Sequence, residues 1–474
     1  MSSIRVVLFS AAVVASFYSS GAGAQSPAPD TVSGRQLAQW LAAFNDADGA
    51  AREPFYRDRW AYRPNQRFYE DLREQTGGFT LLKIEESTAT RTIAIAGHID
   101  SDTVSRLTFD VEPDEPHRVV RFTAQAIPRP ADLPIARLSE AELLKGLRAD
   151  LERWAAADRF SGAVLVAKNG RPIFSAAYGF ADRERRVANT IETRFKNGSM
   201  NKMFTAIATL TLVRAGKLAL TDPLGRHLAD YPNKTVASKV TIHHLLTHTG
   251  GTGDIFGPEF TAKRLELRTP KDFVALYGKR DLLFEPGSQW MYSNYGFALL
   301  GAVIEQVSGQ SYYDYVRDHI YEPAGMTLTG SEPEEQVLLH TAIGYMKRPG
   351  TNAWHSNADT LPYRGMAAGG GYTTVGDLIR FATALTNHRL LNAEDTALLT
   401  TGKVASAGGK YAYGFVEMMI GGIRAFGHSG GAPGQSGDLI ILPESGYAIA
   451  VLANQDPPAA PRVSNYIASR VPVK

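Results

Sequence analysis

A serine stands three residues before a lysine in "RFKNGSMNKMFTAIATLTLV", residues 194–213. If the segment is helical, positions i and i+3 share a face, so the Ser199 hydroxyl and the Lys202 amine can meet. A serine alcohol is a poor nucleophile at neutral pH and needs a base beside it. A lysine can be that base when burial or neighbouring cations disfavour its charged form. Backbone N–H groups at the helix start would face the negative charge that develops on an attacked carbonyl. The bland alternative is a helix cap and a solvated charge, and the motif alone does not exclude it.

Two later stretches supply further chemistry. "WMYSNYGF" places Tyr292-Ser293-Asn294 ahead of an apolar helical pattern, Leu299, Leu300, Val303 and Ile304. A tyrosine hydroxyl can relay a proton, and a carboxamide two residues on can orient lysine and substrate. "FGHSGGAPGQSGDL" puts His428-Ser429-Gly430-Gly431 at the end of a strand. Small residues there allow a substrate to approach the strand edge and leave the Gly431 N–H free to donate. His243, His244 and His248 raise the question of a metal, since His244 and His248 are one helical turn apart. No acidic third ligand accompanies them in a suitable pattern, so neither a metal nor any other cofactor is expected.

These groups need a framework. Ser33–Asn45 reads as a helix with Leu37, Trp40, Leu41 and Phe44 on one face, and a second helix is expected around 65–74. Four strand-like runs follow, "FTLLKIEES", "TRTIAIAGHID", "SRLTFDVEP" and "HRVVRFTAQAI". Two helices and a four-stranded meander make a small α+β domain over 33–127, and proline-rich 128–137 reads as a linker. A larger domain is expected over 138–474. It opens with a helix over 142–156 and a hairpin turning at Asn169-Gly170, where positive φ is readily reached. The quoted helix follows, then a helical, loop-rich middle. Strands return in "YAYGFVEMMI", "IRAFGHSGG", "SGDLIILPES" and "YAIAVLANQ", before a closing helix over 459–470. Strands at both ends with helices between predict a sheet assembled from distant parts of the chain. "GTGDIFGPEF", residues 251–260, reads as a loop over the site, with Asp254 and Phe256 as candidate substrate contacts. Gly369-Gly370-Gly371 reads as a tight turn before a helix capped at Thr373-Thr374.

Composition limits what such a chain does. With 474 residues, 44% hydrophobic and 21% charged, it is globular, and a formal charge of +2 gives no reason to expect nucleic acid. The first residues, a short basic start, the apolar Val6–Phe17 and small residues at 22–24, have the pattern of a secretory signal over 1–24. Residues 25–32 would then form a flexible leader. No other stretch approaches membrane-spanning length. There are no cysteines, so thiolate chemistry is ruled out, and an exported chain without disulfides fits a bacterial periplasm or medium.

Taken together, Ser199-x-x-Lys202, Tyr292-x-Asn294 and the His428-x-Gly430 strand resemble the three motifs of the serine β-lactamase and penicillin-binding-protein superfamily. The resemblance is to its class C β-lactamase, D-aminopeptidase and carboxylesterase branch, and covers about 138–473. It implies an antiparallel sheet flanked by helices plus an all-helical region. By order of elements alone, 33–127 resembles a cystatin-like or SnoaL-like sheet; such sheets often pair, which leaves a homodimer open. Carried over by residue, the resemblance implies that Ser199 accepts the acyl group and Lys202 takes its proton. Tyr292 passes the proton to the leaving group or activates the deacylating water, and Asn294 orients Lys202 and substrate. Ser199 and Gly431 N–H groups form the oxyanion hole, and the histidine-bearing segment 241–251 is structural. His428 departs from the class C pattern, which has lysine there to hold an anionic substrate. A histidine is compatible with the D-stereospecific peptidases and esterases of the branch. The expectation is therefore an exported serine hydrolase cleaving small esters or peptides. The alternatives are a β-lactamase or D,D-peptidase with the same site, or a catalytically quiet peptide- or peptidoglycan-binding protein.

Overall fold

The computed structural model describes residues 27–46, 49–62, 65–347, 353–406 and 408–472. The expected signal, 1–24, lies outside the described residues. The chain divides into two compact units, Met1–Ala136 and Arg137–Lys474.

In the first unit, helix Val32–Asn45 buries Leu37, Trp40, Leu41 and Phe44, the apolar positions one and three or four residues apart that a helix places on a single face. Thr31 caps it, its hydroxyl accepting from the Gly34 N–H. Strands Phe79–Ser87, Arg91–His98, Val104–Val111 and Val119–Ile127 pair in chain order, all antiparallel. Trp40 lies against Phe44 and Phe122, with ring centroids 4.8 and 4.5 Å away. Beside the helix expected near 65–74, observed at Gln66–Thr76, an additional helix forms at Arg52–Arg59. Its polar sequence buries only Phe55, which is why no apolar stripe announced it.

The second unit is built on an eight-stranded antiparallel sheet. Its order is Val404–Ser406, Gly409–Tyr411, Val416–Ile420, Ile423–Ala432, Gln435–Leu442, Tyr447–Ala453, Gly162–Lys168 and Arg171–Tyr178. The last strand of the chain thus pairs with the first of the unit, Ile449 opposite Val166, as strands at both ends of the segment require. The hairpin turns at Asn169 and Gly170, with φ of 50° and 75°.

Alternation of side chains along each strand feeds two cores. Along Tyr447–Ala453, Ala448, Ala450 and Leu452 join the core under the helical region, while Tyr447, Ile449, Val451 and Ala453 face the opposite way. That second layer is closed by helices Glu140–Ala156 and Ala459–Arg470, through Leu143, Leu147, Leu151, Val463 and Ile467. The former is set by a capping box between Ser139 and Glu142.

"YAYGFVEMMI" does not form the single strand expected of it. It breaks between Tyr411 and Val416. Gly414 sits there at φ 68°, and a Cβ on it would lie 2.4 Å from the Lys202 carbonyl oxygen. The chain must turn and pass close to the nucleophile helix at that point, and only glycine permits both.

Candidate active site

Ser199 lies on a short turn, Gly198–Met200, that runs directly into helix Asn201–Arg214. Gly198 adopts φ 52°, and a Cβ on it would stand 2.9 Å from the Gly431 nitrogen. A side chain at Gly430 would in turn meet the Asn197 carbonyl at 2.1 Å and the Ser199 nitrogen at 3.0 Å. The glycines of "GHSGG" therefore let the strand Ile423–Ala432 close onto the serine turn, which brings the Ser199 and Gly431 amides to neighbouring positions. Because strand side chains alternate, His428 faces the same side as Gly430. His428 lies within that strand rather than at its end.

One turn beyond Ser199, Lys202 is completely buried. Its amine meets the Ser199 hydroxyl at 3.2 Å and the Asn294 side-chain carbonyl at 2.8 Å, and it also donates to the Ala368 carbonyl. It sits over the Tyr292 ring, 4.7 Å from the centroid. Burial brings its pKa down to about 7, against an opposing pull from the Asp254 charge. A neutral amine has two N–H bonds and one lone pair. Two carbonyl oxygens take the N–H bonds, so the lone pair is left for the Ser199 proton. In this arrangement Lys202 can act as a general base toward a serine alcohol.

Tyr292 and Asn294 come from the start of helix Asn294–Ser308, whose N-cap is Ser293. The Tyr292 ring lies against His248, with centroids 4.3 Å apart. Burial raises its hydroxyl pKa well above that of an ordinary phenol, opposed in part by a hydrogen bond with Ser199. At neutral pH it is a phenol that can receive and pass a proton, not a phenolate.

His428 is 5% exposed. Its Nδ1 meets the Ser429 carbonyl at 2.5 Å, and its Nε2 meets the Tyr411 hydroxyl at 3.1 Å. A carbonyl only accepts, so Nδ1 carries the hydrogen and Tyr411 donates to Nε2. Burial, with the Lys202 charge a lesser contribution, pushes the pKa down to about 3. The ring is neutral at physiological pH.

A match to the Beta-lactamase family model spans residues 147–471. The chain belongs to the beta-lactamase family. Members of this family of serine hydrolases similar to it include PbpX of Bacillus subtilis, named as a penicillin-binding protein, 31% identical over 232 residues. That alignment takes in 49% of this chain, which spans 56% of the length of its relative. A penicillin-binding protein from Bacillus halodurans is 35% identical with a TM-score of 0.61, over 68% of this chain and 97% of that one. A D-stereospecific amidohydrolase from Streptomyces is 29% identical with a TM-score of 0.56, over 66% of this chain and 94% of that one.

Within this beta-lactamase-family unit, Ser199, Lys202, Tyr292, Asn294, His428 and Gly431 lie close together. Three neighbours were not legible as part of the site. The Ala368 carbonyl, just before the triglycine turn, binds the Lys202 amine. The backbone carbonyl of His248 accepts from Met291 N–H at 3.0 Å and its Nδ1 from Ser293 N–H at 3.1 Å. The ring thus clamps the segment that presents Tyr292. Tyr411 donates its hydroxyl hydrogen to the Nε2 of His428. None of the three carries a local signature, since each acts through a partner distant in sequence. His243 meets the Tyr413 hydroxyl at 2.8 Å and His244 accepts from the Thr241 N–H, so the three histidines take separate partners. Asp254 accepts from Asn294, through the backbone N–H at 3.1 Å and the side-chain amide at 3.2 Å, while Phe256 is 62% exposed.

Proposed function

We propose that the protein is a serine hydrolase that cleaves small esters or amides through an acyl-enzyme on Ser199. The observation carrying this is the buried Lys202 amine, whose partners leave its lone pair to the Ser199 hydroxyl. Ser199 Oγ bonds to the substrate carbonyl carbon while its proton passes to Lys202 Nζ. The oxyanion is received by the Ser199 and Gly431 N–H groups, each such donor contributing about 3–4 kcal/mol of transition-state stabilisation. The bond to the leaving group breaks as Tyr292 delivers the proton that Lys202 collected. Water then attacks the acyl carbon, gives its proton back through the same pair, and frees Ser199.

The neutral His428 bears on the substrate. Without a fixed cation at that position, an anionic substrate gains no charge pairing there. This favours uncharged short-chain esters and small D-amino-acid amides or peptides, and similarity to a D-stereospecific amidohydrolase supports the same choice. Similarity to penicillin-binding proteins supports a second reading, a D,D-peptidase or β-lactamase with the same machinery. The export pattern over residues 1–24 supports a periplasmic or secreted enzyme.

Ser199→Ala is expected to abolish covalent labelling by a fluorophosphonate while the thermal unfolding transition is retained. Equal labelling of the variant removes the assignment. Parallel assays with nitrophenyl esters, D-amino-acid anilides and nitrocefin then divide the substrate readings, with turnover of the first two and little of the third expected.

A further inference from the structure

Asn294 serves Lys202 only in one of its two amide orientations. A carboxamide has an acceptor end and a donor end of nearly the same shape. With the carbonyl toward Lys202, it takes an amine N–H and leaves the lone pair to Ser199. With the NH₂ group toward Lys202, it donates into that lone pair and disables the base. Nothing in the shape of the side chain chooses between the two.

We infer that Asp254 is the positioning residue that makes the choice, locking the Asn294 amide with its carbonyl toward Lys202 and so keeping the base free for Ser199. One carboxylate oxygen of Asp254 accepts from the backbone N–H groups of Ile255, at 2.7 Å, and Asn294, at 3.1 Å. The other faces the Asn294 amide nitrogen at 3.2 Å. A carboxylate only accepts, so the amide group beside it must present its NH₂ end, and the carbonyl must turn to Lys202. The role rests on the acylation of Ser199 proposed above.

An ordinary helix-capping role and this role predict opposite orders for two variants. Asp254→Asn keeps the shape. Its single carbonyl oxygen is claimed by the Ile255 and Asn294 backbone N–H groups, so its NH₂ group faces the Asn294 side chain. Asn294 must then flip its carbonyl toward that donor and turn its own NH₂ group to Lys202. Asp254→Ala removes the lock without enforcing the wrong orientation. The Asn substitution is therefore the more damaging, although it is the closer in structure.

Charge supplies a second readout. The groups around the Lys202 amine are Ser199 from the preceding turn, Tyr292 and Asn294 from the start of helix Asn294–Ser308, His248, His428 from the sheet, and Asp254. Tyr292 is protonated, and burial keeps both histidines neutral. Asp254 is the one that raises the affinity of Lys202 for its proton. Removing its charge moves the pH at which the base becomes available downward.

The test is the second-order rate of fluorophosphonate labelling of the full chain, followed against pH, with thermal unfolding as a check on folding. The expected result is a loss on the order of 100-fold for Asp254→Asn and about tenfold or less for Asp254→Ala. In both, the rising limb is displaced to lower pH by about one unit. An unmoved limb, or an Asn variant at least as reactive as the Ala variant, overturns the proposal. If Asp254→Asn does not fold, Asp254→Glu, which retains charge and acceptors, should hold the parent limb while Asp254→Ala shifts it; coincident limbs overturn the proposal. Ser199→Ala keeps the two levels apart. Labelling that survives it removes the acylation reading itself, whereas labelling lost in it with an unmoved Asp254→Ala limb removes only the role of Asp254.

Discussion

The two halves of the site bury a basic nitrogen each and put it to opposite use. On the helical half, Lys202 gives its N–H bonds to two carbonyl oxygens and retains a lone pair aimed at Ser199. On the strand half, His428 has one nitrogen committed to the Ser429 carbonyl and the other to the Tyr411 hydroxyl. Burial depresses both pKa values, which leaves His428 neutral and lets Lys202 shed its proton near neutral pH. What separates a base from a spacer is the set of partners. Desolvation makes a neutral nitrogen, and only an unspent lone pair makes it reactive.

This contrast can be broken most severely at Lys202. Lys202→Ala is expected to slow fluorophosphonate labelling about 1,000-fold, within the range that a positioned general base contributes. Near-parental labelling would mean that the strand half, or another group, supplies the base. A smaller effect is expected from Tyr411→Phe, which keeps the ring and removes the donor to His428. Leaving that buried nitrogen unsatisfied should cost about 1–3 kcal/mol of stability, measurable as a lowered denaturation midpoint. Labelling should fall less than tenfold, with its pH limb in place. A limb displaced by Tyr411→Phe would show that His428 takes part in the titration after all.

The same contrast marks how far the sequence is legible. Ser199 and Lys202 sit on one helix, so their meeting follows from helical spacing. Tyr292 and Asn294 flank a helix cap, and the glycines after His428 announce a close approach of backbone. Those signals are local, and the structure brings the residues that carry them together. Asp254 reaches Asn294 across 40 residues of chain, and Tyr411 reaches His428 across a sheet. Such pairings depend on tertiary placement that no period or cap encodes. The charge state of His428 was illegible for the same reason, since it is set by burial and by two partners. The additional helix at Arg52–Arg59 is not legible because its sequence carries almost no apolar face. Nor is the break after Tyr411, because Gly414 reads as one glycine within a strand until Lys202 is seen beside it.

The central claim is that Lys202 is the group whose deprotonation turns Ser199 into a nucleophile. The most direct measurement is the rate of fluorophosphonate labelling of the unmodified protein between about pH 5 and 10. A base acts without its proton, so the rate should climb with pH through a single limb centred near the depressed pKa of Lys202, about 7. A rate that is flat across the range, or that climbs only near the ordinary lysine value of about 10.4, would contradict the account.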